Sequence, residues 1–157
     1  MRHGRRFFEA SVEACQHLGR RGLLLTRYPD QLPTPLPKQV RHFDYVPFSQ
    51  LLHRCAALAH HGGVGTLAQG LAAGVPQLVM PMAHDQADNA TRLKRLGAGR
   101  ALRPTLYRGP AVARELAHLL SSPEVAVSCA GAAAKVREHK AVEGACDLIE
   151  QLPSSRG

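Results

Sequence analysis

The sequence predicts an α/β fold, a parallel sheet flanked by helices, and three observations predict it. Short apolar runs alternate with helical stripes. Single helices separate the runs, which requires parallel pairing through right-handed crossovers. A glycine turn, Gly62-Gly63-Val64-Gly65, joins one apolar run directly to a new helix. The 157 residues, 45% of them apolar and none of them Trp, suffice for one core. Neither a repeat nor a low-complexity stretch divides the chain, so residues 1–152 read as one domain and residues 153–157 as a frayed tail.

Taken in order, Phe7, Phe8, Ala10, Val12, Ala14, Cys15 and Leu18 form a helical stripe over Arg5 to Leu18, which Gly19 and Gly22 close. Leu23 to Thr26 reads as a buried strand. The Pro-rich segment Pro29 to Pro37 is a loop, and Val40 to Tyr45 a second strand. Ser49 then caps a helix through Leu51 and Leu52. Ala56 to His60 is a third strand, Thr66 to Ala73 a helix, Gln77 to Met80 a fourth strand and Asp85 to Leu96 a helix. Gly99 to Leu102 follows as an edge strand. The remainder is helical: Gly109 to Leu120, a stretch from Pro123 towards His139, and Val142 to Leu152. In a parallel sheet the loops after Tyr45, His60 and Met80 share the carboxyl edge, where ligands bind.

A net charge of +8 favours anionic partners, and Arg92 to Arg108 holds six basic residues and no acid. That stretch carries a single aromatic, Tyr107, and no nucleic-acid-binding motif. A solvated basic surface is the first reading, attraction of an anionic ligand the second, and nucleic acid the last. Cys15, Cys55, Cys129 and Cys146 form no CxxC pair, so they are expected to be reduced, mostly buried thiols rather than zinc or redox ligands. No apolar run approaches the roughly 20 residues that span a bilayer, and the arginine-rich start lacks a signal-peptide core. A soluble cytoplasmic protein is expected, with membrane-surface contact not indicated.

Three segments carry candidate chemistry. After the strand ending at His60, the N–H groups of Val64, Gly65 and Thr66 can surround phosphate oxygens at a helix start, with His61 alongside and the Thr66 hydroxyl adding a donor. A tight structural turn explains the glycines equally well; the adjoining histidine pair favours the anion site. Adjacent strand residues face opposite ways, so His60 and His61 are poorly placed to chelate one metal ion, and one of them is expected to be structural. In the second segment, Met80 to Gln86, Asp85 and Gln86 offer a carboxylate and an amide to sugar hydroxyls, although on position alone Asp85 reads as a helix cap. In the third, Phe43 to Phe48, Tyr45 or Phe48 can stack on a base and Val46 can offer backbone groups to its edge; core packing is the plainer role for any one aromatic. In the order base, diphosphate, sugar, the three describe a sugar nucleotide.

The residues Val46-Pro47 to Leu52, His60 to Thr66, Ala73-Gly74-Val75-Pro76-Gln77 and Asp85-Gln86 to Asn89 resemble the donor-binding signature of GT-B glycosyltransferases that use UDP- or dTDP-sugars. The relatives include natural-product, sterol and rhamnolipid-type transferases, and the similarity covers roughly Leu23 to Leu102. The resemblance implies a Rossmann-like carboxyl-terminal half-domain lacking its first strand. It implies that His61 contacts the diphosphate, that Gly63, Val64, Gly65 and Thr66 form the phosphate turn, and that Asp85 and Gln86 meet sugar hydroxyls. Tyr45 and Val46 match the positions beside the base. Gln69 stands where plant relatives often have a ribose-binding Glu.

The function implied is the nucleotide-sugar-binding half of an inverting, metal-independent transferase of hexosyl groups to a hydroxyl of a small-molecule or lipid acceptor. The acceptor domain and its general-base histidine have no counterpart here, so no catalytic residue is assigned, His84 receives a positioning role, and the chain alone is expected to be inactive. An acceptor-domain partner chain or a homo-oligomer is expected, because the missing first strand leaves an apolar sheet edge. The alternative is a truncated, non-catalytic paralogue that binds nucleotides or self-associates.

Overall fold

A computed structural model describes residues 2–138 and 141–151. The expected tail at 153–157, and the end of the last helix at Leu152, lie outside the described residues. The chain alternates helix α1 (Arg2–His17), strands β1 (Gly22–Leu25) and β2 (Val40–Phe43), the short helix α2 (Phe48–Leu51), β3 (Leu58–His60), α3 (Val64–Ala72), β4 (Gln77–Val79), α4 (Gln86–Arg95) and β5 (Gly99–Ala101). Helices α5 (Gly109–Ser121), α6 (Pro123–Glu138) and α7 (Ala141–Glu150) follow. No helix among the described residues is long and apolar enough to cross a membrane.

All strand pairs are parallel, as the alternation requires, but they form two sheets rather than one: β1-β2, and β3-β4-β5 with β4 central. Residues of β4 are buried throughout, which is why Gln77-Leu78-Val79 reads as a run without alternation. Helix α1 serves both sheets. Its Ala10 and Ala14 pack in the core that holds Leu78, Val79, Leu93 and Val112, while Phe8 and Val12 pack with Leu24 and Val40. Both pairs are spaced i, i+4, so two adjacent stripes of one helix face two sheets. Tyr107, after β5, stacks on Phe7 with ring centroids 5.1 Å apart, and its hydroxyl lies 3.2 Å from Ser11 Oγ.

Local differences from the sequence reading have physical causes. Ser49 caps nothing: Pro47 takes the cap position of α2, Ser49 sits inside it, and a 3₁₀ turn over Leu52–Arg54 follows. β3 begins at Leu58 rather than Ala56, and β2 ends at Phe43 rather than Tyr45, because pairing stops there. Of the cysteines only Cys129 is buried; Cys15 and Cys55 are half-buried and Cys146 is exposed, and all are free thiols. The apolar fraction is met instead by Ala, Val and Leu.

An ion pair fixes α5 against β5. Glu115, buried on α5, accepts hydrogen bonds from Arg100 Nε on β5 and, at 3.1 Å, from Arg114 Nη2. Burial pushes its carboxyl up, but the bonds and charges of the two guanidinium groups outweigh this and hold it below its ordinary range. The pair's contribution is therefore present above the unfolded carboxyl pKa and lost as pH falls through the depressed folded value. Glu115→Ala is expected to lower stability by about 1–3 kcal/mol, towards the smaller figure because both arginines are well exposed. The midpoint of urea denaturation at pH 7 measures this; an unchanged midpoint would assign the pair no structural weight.

Candidate donor-diphosphate site

The carboxyl ends of β2, β3 and β4 each release a loop carrying candidate residues. The turn after β3 is held by the first histidine of the pair. His60 is buried, its Nδ1 accepts the Gly62 N–H at 3.1 Å, and its Nε2–H donates to Gln77 Oε1 at 2.8 Å. Gln77 completes the frame by donating from Nε2 to Leu67 O in α3, at 3.2 Å. One neutral imidazole thus ties turn, strand and helix together. Burial lowers its pKa to about 4, the Gln77 bond opposing and His61 adding slightly to the shift. His60 is the structural member of the pair.

Gly62 adopts φ +95°, a left-handed conformation that reverses the chain after the strand. A Cβ there would lie 2.8 Å from Val79 Cγ1 and 3.3 Å from Gln86 O, so β4 and the start of α4 close directly on it. Gly63 occupies the cap position of α3 and supplies no side-chain cap, leaving the N–H groups of Val64, Gly65 and Thr66 uncapped at the positive end of the helix. His61 is exposed and folds over this point: a Cβ on Gly63 would lie 2.9 Å from its Nε2. Val64 and Gly65 are exposed, and no atom lies within 4 Å of a Cβ built on Gly65. Thr66 is half-buried, and Gln69 bends back to donate to Gly65 O at 3.4 Å.

The loop after β4 leans on the same turn. Asn89 Nδ2 donates to Gly62 O at 3.0 Å and to Asp85 Oδ2 at 2.8 Å. Asp85 occupies the cap position of α4, but its carboxylate makes no capping bond; it is exposed and faces Asn89. Gln86 Oε1 accepts from the N–H groups of Met82 and Ala83, at 2.8 and 3.1 Å, which leaves its Nε2 as the group available to a ligand. His84 takes φ 56° at the crest of the loop. Asp88 is engaged by Arg92 at 2.8 Å.

The structure thus brings His61, Gly63, Val64, Gly65, Thr66, Asp85 and Gln86 around one turn. Tyr45 and Val46 follow β2 in the other sheet; Tyr45 is exposed, Val46 half-buried, and no hydrogen bond among the described residues joins them to the turn. Two residues without a sequence assignment anchor the turn. Gln77 is detectable as an amide opening an otherwise apolar strand, and Asn89 as the residue one helical turn after Asp85. Among the described residues no group of three or more His, Cys, Asp or Glu is arranged to hold a metal ion. A cavity of about 450 Å3 lies between α5, α6 and the residues after α3, whereas the turn sits on an open sheet edge.

Parallel sheets flanked by helices in this arrangement match the carboxyl-terminal halves of GT-B glycosyltransferases. Residues 26–150 match the family described as erythromycin biosynthesis protein CIII-like, C-terminal domain, and the chain belongs to that family. O-mycaminosyltylonolide 6-deoxyallosyltransferase of Streptomyces fradiae is 35% identical over 87% of this chain and 32% of its own length. The glycotransferase of kitacinnamycin superposes with a TM-score of 0.84 at 31% identity, over 92% of this chain and 38% of that one. The glycosyltransferase VinC in complex with dTDP superposes with a TM-score of 0.74 at 26% identity, over 82% of this chain and 33% of that one. The chain spans about a third of the length of these relatives.

Proposed function

We propose that this chain is the donor-binding half of an inverting, metal-independent glycosyltransferase, holding a UDP- or dTDP-hexose for transfer to a hydroxyl of a small-molecule or lipid acceptor. One observation carries the reading: the exposed His61 ring folds over Gly63, beside the uncapped N–H groups that open α3. Those groups and the helix dipole suit a diphosphate, and VinC, a relative of known structure, is one solved with dTDP. Asp85 and the free Nε2 of Gln86 then face the hexose, while Tyr45 and Val46 serve the base from the end of β2.

In the transfer, an acceptor hydroxyl oxygen forms a bond to the anomeric carbon as the bond from that carbon to the diphosphate breaks. The nucleoside diphosphate leaves with the electron pair, its growing charge stabilised by His61 and the turn. The hydroxyl proton passes to a base outside these residues, since none of them combines reach with an orienting carboxylate. The chain alone is therefore expected to bind donor without turnover.

Calorimetric titration with UDP, dTDP and their glucose conjugates tests the reading. Binding is expected with at least one of them, and His61→Ala is expected to weaken it about tenfold, the worth of one charge-assisted hydrogen bond. Absence of heat with every ligand would end the donor assignment. Transfer of sugar to hydroxyl acceptors by these residues alone would refute the assignment of the base outside them.

A further inference from the structure

The loop between β4 and α4 fixes the hydrogen-bonding polarity of two adjacent side chains. Gln86, the first residue of α4, folds back so that a single atom of its amide lies 2.8 Å from Met82 N and 3.1 Å from Ala83 N. Backbone N–H groups only donate, so that atom is the oxygen. The Gln86 N–H returns a bond to Ala83 O at 3.3 Å, which closes the loop into a ring. His84, at φ 56°, makes the reversal inside it. The ring rests on the glycine turn, since Gln86 Cβ and O lie 3.4 and 3.3 Å from where a Cβ on Gly62 would stand. Flipping the amide would set its NH2 group against two N–H groups and lose both bonds. The outward atom is therefore Nε2, which gives hydrogen bonds and takes none. Asp85 is the converse. Its Oδ2 accepts from Asn89 Nδ2 at 2.8 Å, its Oδ1 makes no hydrogen bond among the described residues, and a carboxylate only accepts.

We propose that Gln86 and Asp85 select the hexose by polarity, Gln86 admitting a substituent that accepts a hydrogen bond and Asp85 one that donates. The proposal rests on the donor reading, since both residues meet a sugar only when a nucleotide occupies the turn. A hydroxyl, keto or ether oxygen satisfies Gln86. An ammonium group there would face the Nε2 donor with nothing to accept its protons, and such unpaired charge is a means by which sites reject a ligand. Opposite Asp85 the preference reverses: a hydroxyl or an ammonium group binds, whereas a keto or ether oxygen would lie unpaired against the carboxylate. The same amino group is thus excluded at one ring position and favoured at another. The substrate class follows: a neutral hexose, or an amino hexose whose nitrogen faces Asp85. Rigidity makes the discrimination effective, because Gln86 cannot turn its oxygen outward without breaking the ring.

Calorimetry on the full chain at pH 6, where a sugar amine is protonated, tests this with UDP- and dTDP-glucose and their analogues carrying an ammonium group at C2, C3 or C4. One analogue is expected to bind at least about tenfold more weakly than the glucose conjugate, the worth of a charge-assisted hydrogen bond, and a different one at least as tightly. In Gln86→Glu a carboxylate oxygen still accepts from Met82 and Ala83 while the outward atom becomes an acceptor. The rejected analogue is then expected to gain at least about tenfold relative to the glucose conjugate. Asp85→Asn is expected to weaken the favoured analogue on the same scale and to leave the other rejected. Each result is a ratio between two ligands of one protein, so a general loosening of the loop does not imitate it. Should Gln86→Glu fail to fold, the parent and Asp85→Asn decide. Equal binding of all analogues by the parent would overturn the polarity assignment, as would a ranking that the variants leave unchanged. Failure of free UDP and dTDP to bind is a separate result, which overturns the donor reading itself.

Discussion

A His60→Ala variant is expected to be about 2–4 kcal/mol less stable than the parent chain and to bind nucleoside diphosphate weakly. The imidazole fills a buried space and is the partner of two groups at once, the Gly62 N–H and Gln77 Oε1. Its removal leaves both unsatisfied, so the loss exceeds that of one hydrogen bond. The pH dependence identifies the cause. With an ordinary pKa of 6.5 unfolded and about 4 folded, the unfolded chain binds the extra proton between these values. The stability His60 provides is complete above pH 6.5 and falls as pH drops towards 4, by roughly 3 kcal/mol at 1.36 kcal/mol per pKa unit. Urea denaturation of parent and variant at pH 7, 6, 5 and 4.5 measures the difference. Parallel stability profiles would show that His60 is not held neutral by the fold.

Gly62→Ala is expected to cost about 2–4 kcal/mol, combining a left-handed backbone penalty with overpacking. The new methyl group meets Val79 Cγ1 and the backbone oxygen of Gln86, so it presses on β4 and α4 together. Gly65→Ala should behave in the opposite way. Its position is helical and a Cβ meets nothing within 4 Å, so stability is expected to hold or rise by about 0.5–1 kcal/mol, while nucleotide affinity falls because the methyl group enters the space assigned to phosphate. Thermal denaturation and calorimetry on the two variants separate the glycine that makes the turn from the glycine that admits the ligand. Undiminished affinity in Gly65→Ala would move the phosphate elsewhere.

What sequence reading recovered and what it missed divide along the range of the interactions. The strand over Gln77 to Val79, the glycine turn and α3 are legible because periodicity and glycine chemistry are local. The pairing of His60 with Gln77 is not, since it joins positions seventeen residues apart and depends on which strands become neighbours. Choosing which histidine of the pair is structural required that knowledge. Ser49 misled for a related reason: a good capping residue lost its position to Pro47, which fixed the chain two residues earlier. The division into two sheets is likewise carried by no local signal, because it depends on which strands become neighbours.

Asn89 gives the turn a property that no single residue of the site has. Its one amide nitrogen serves Gly62 O and Asp85 Oδ2 together, so the grip on phosphate and the posture of the carboxylate are not independent variables. In the proposed donor site, a sugar hydroxyl drawing Asp85 towards itself would compete with Asn89, and by linkage sugar and diphosphate would then alter one another's affinity by the same factor.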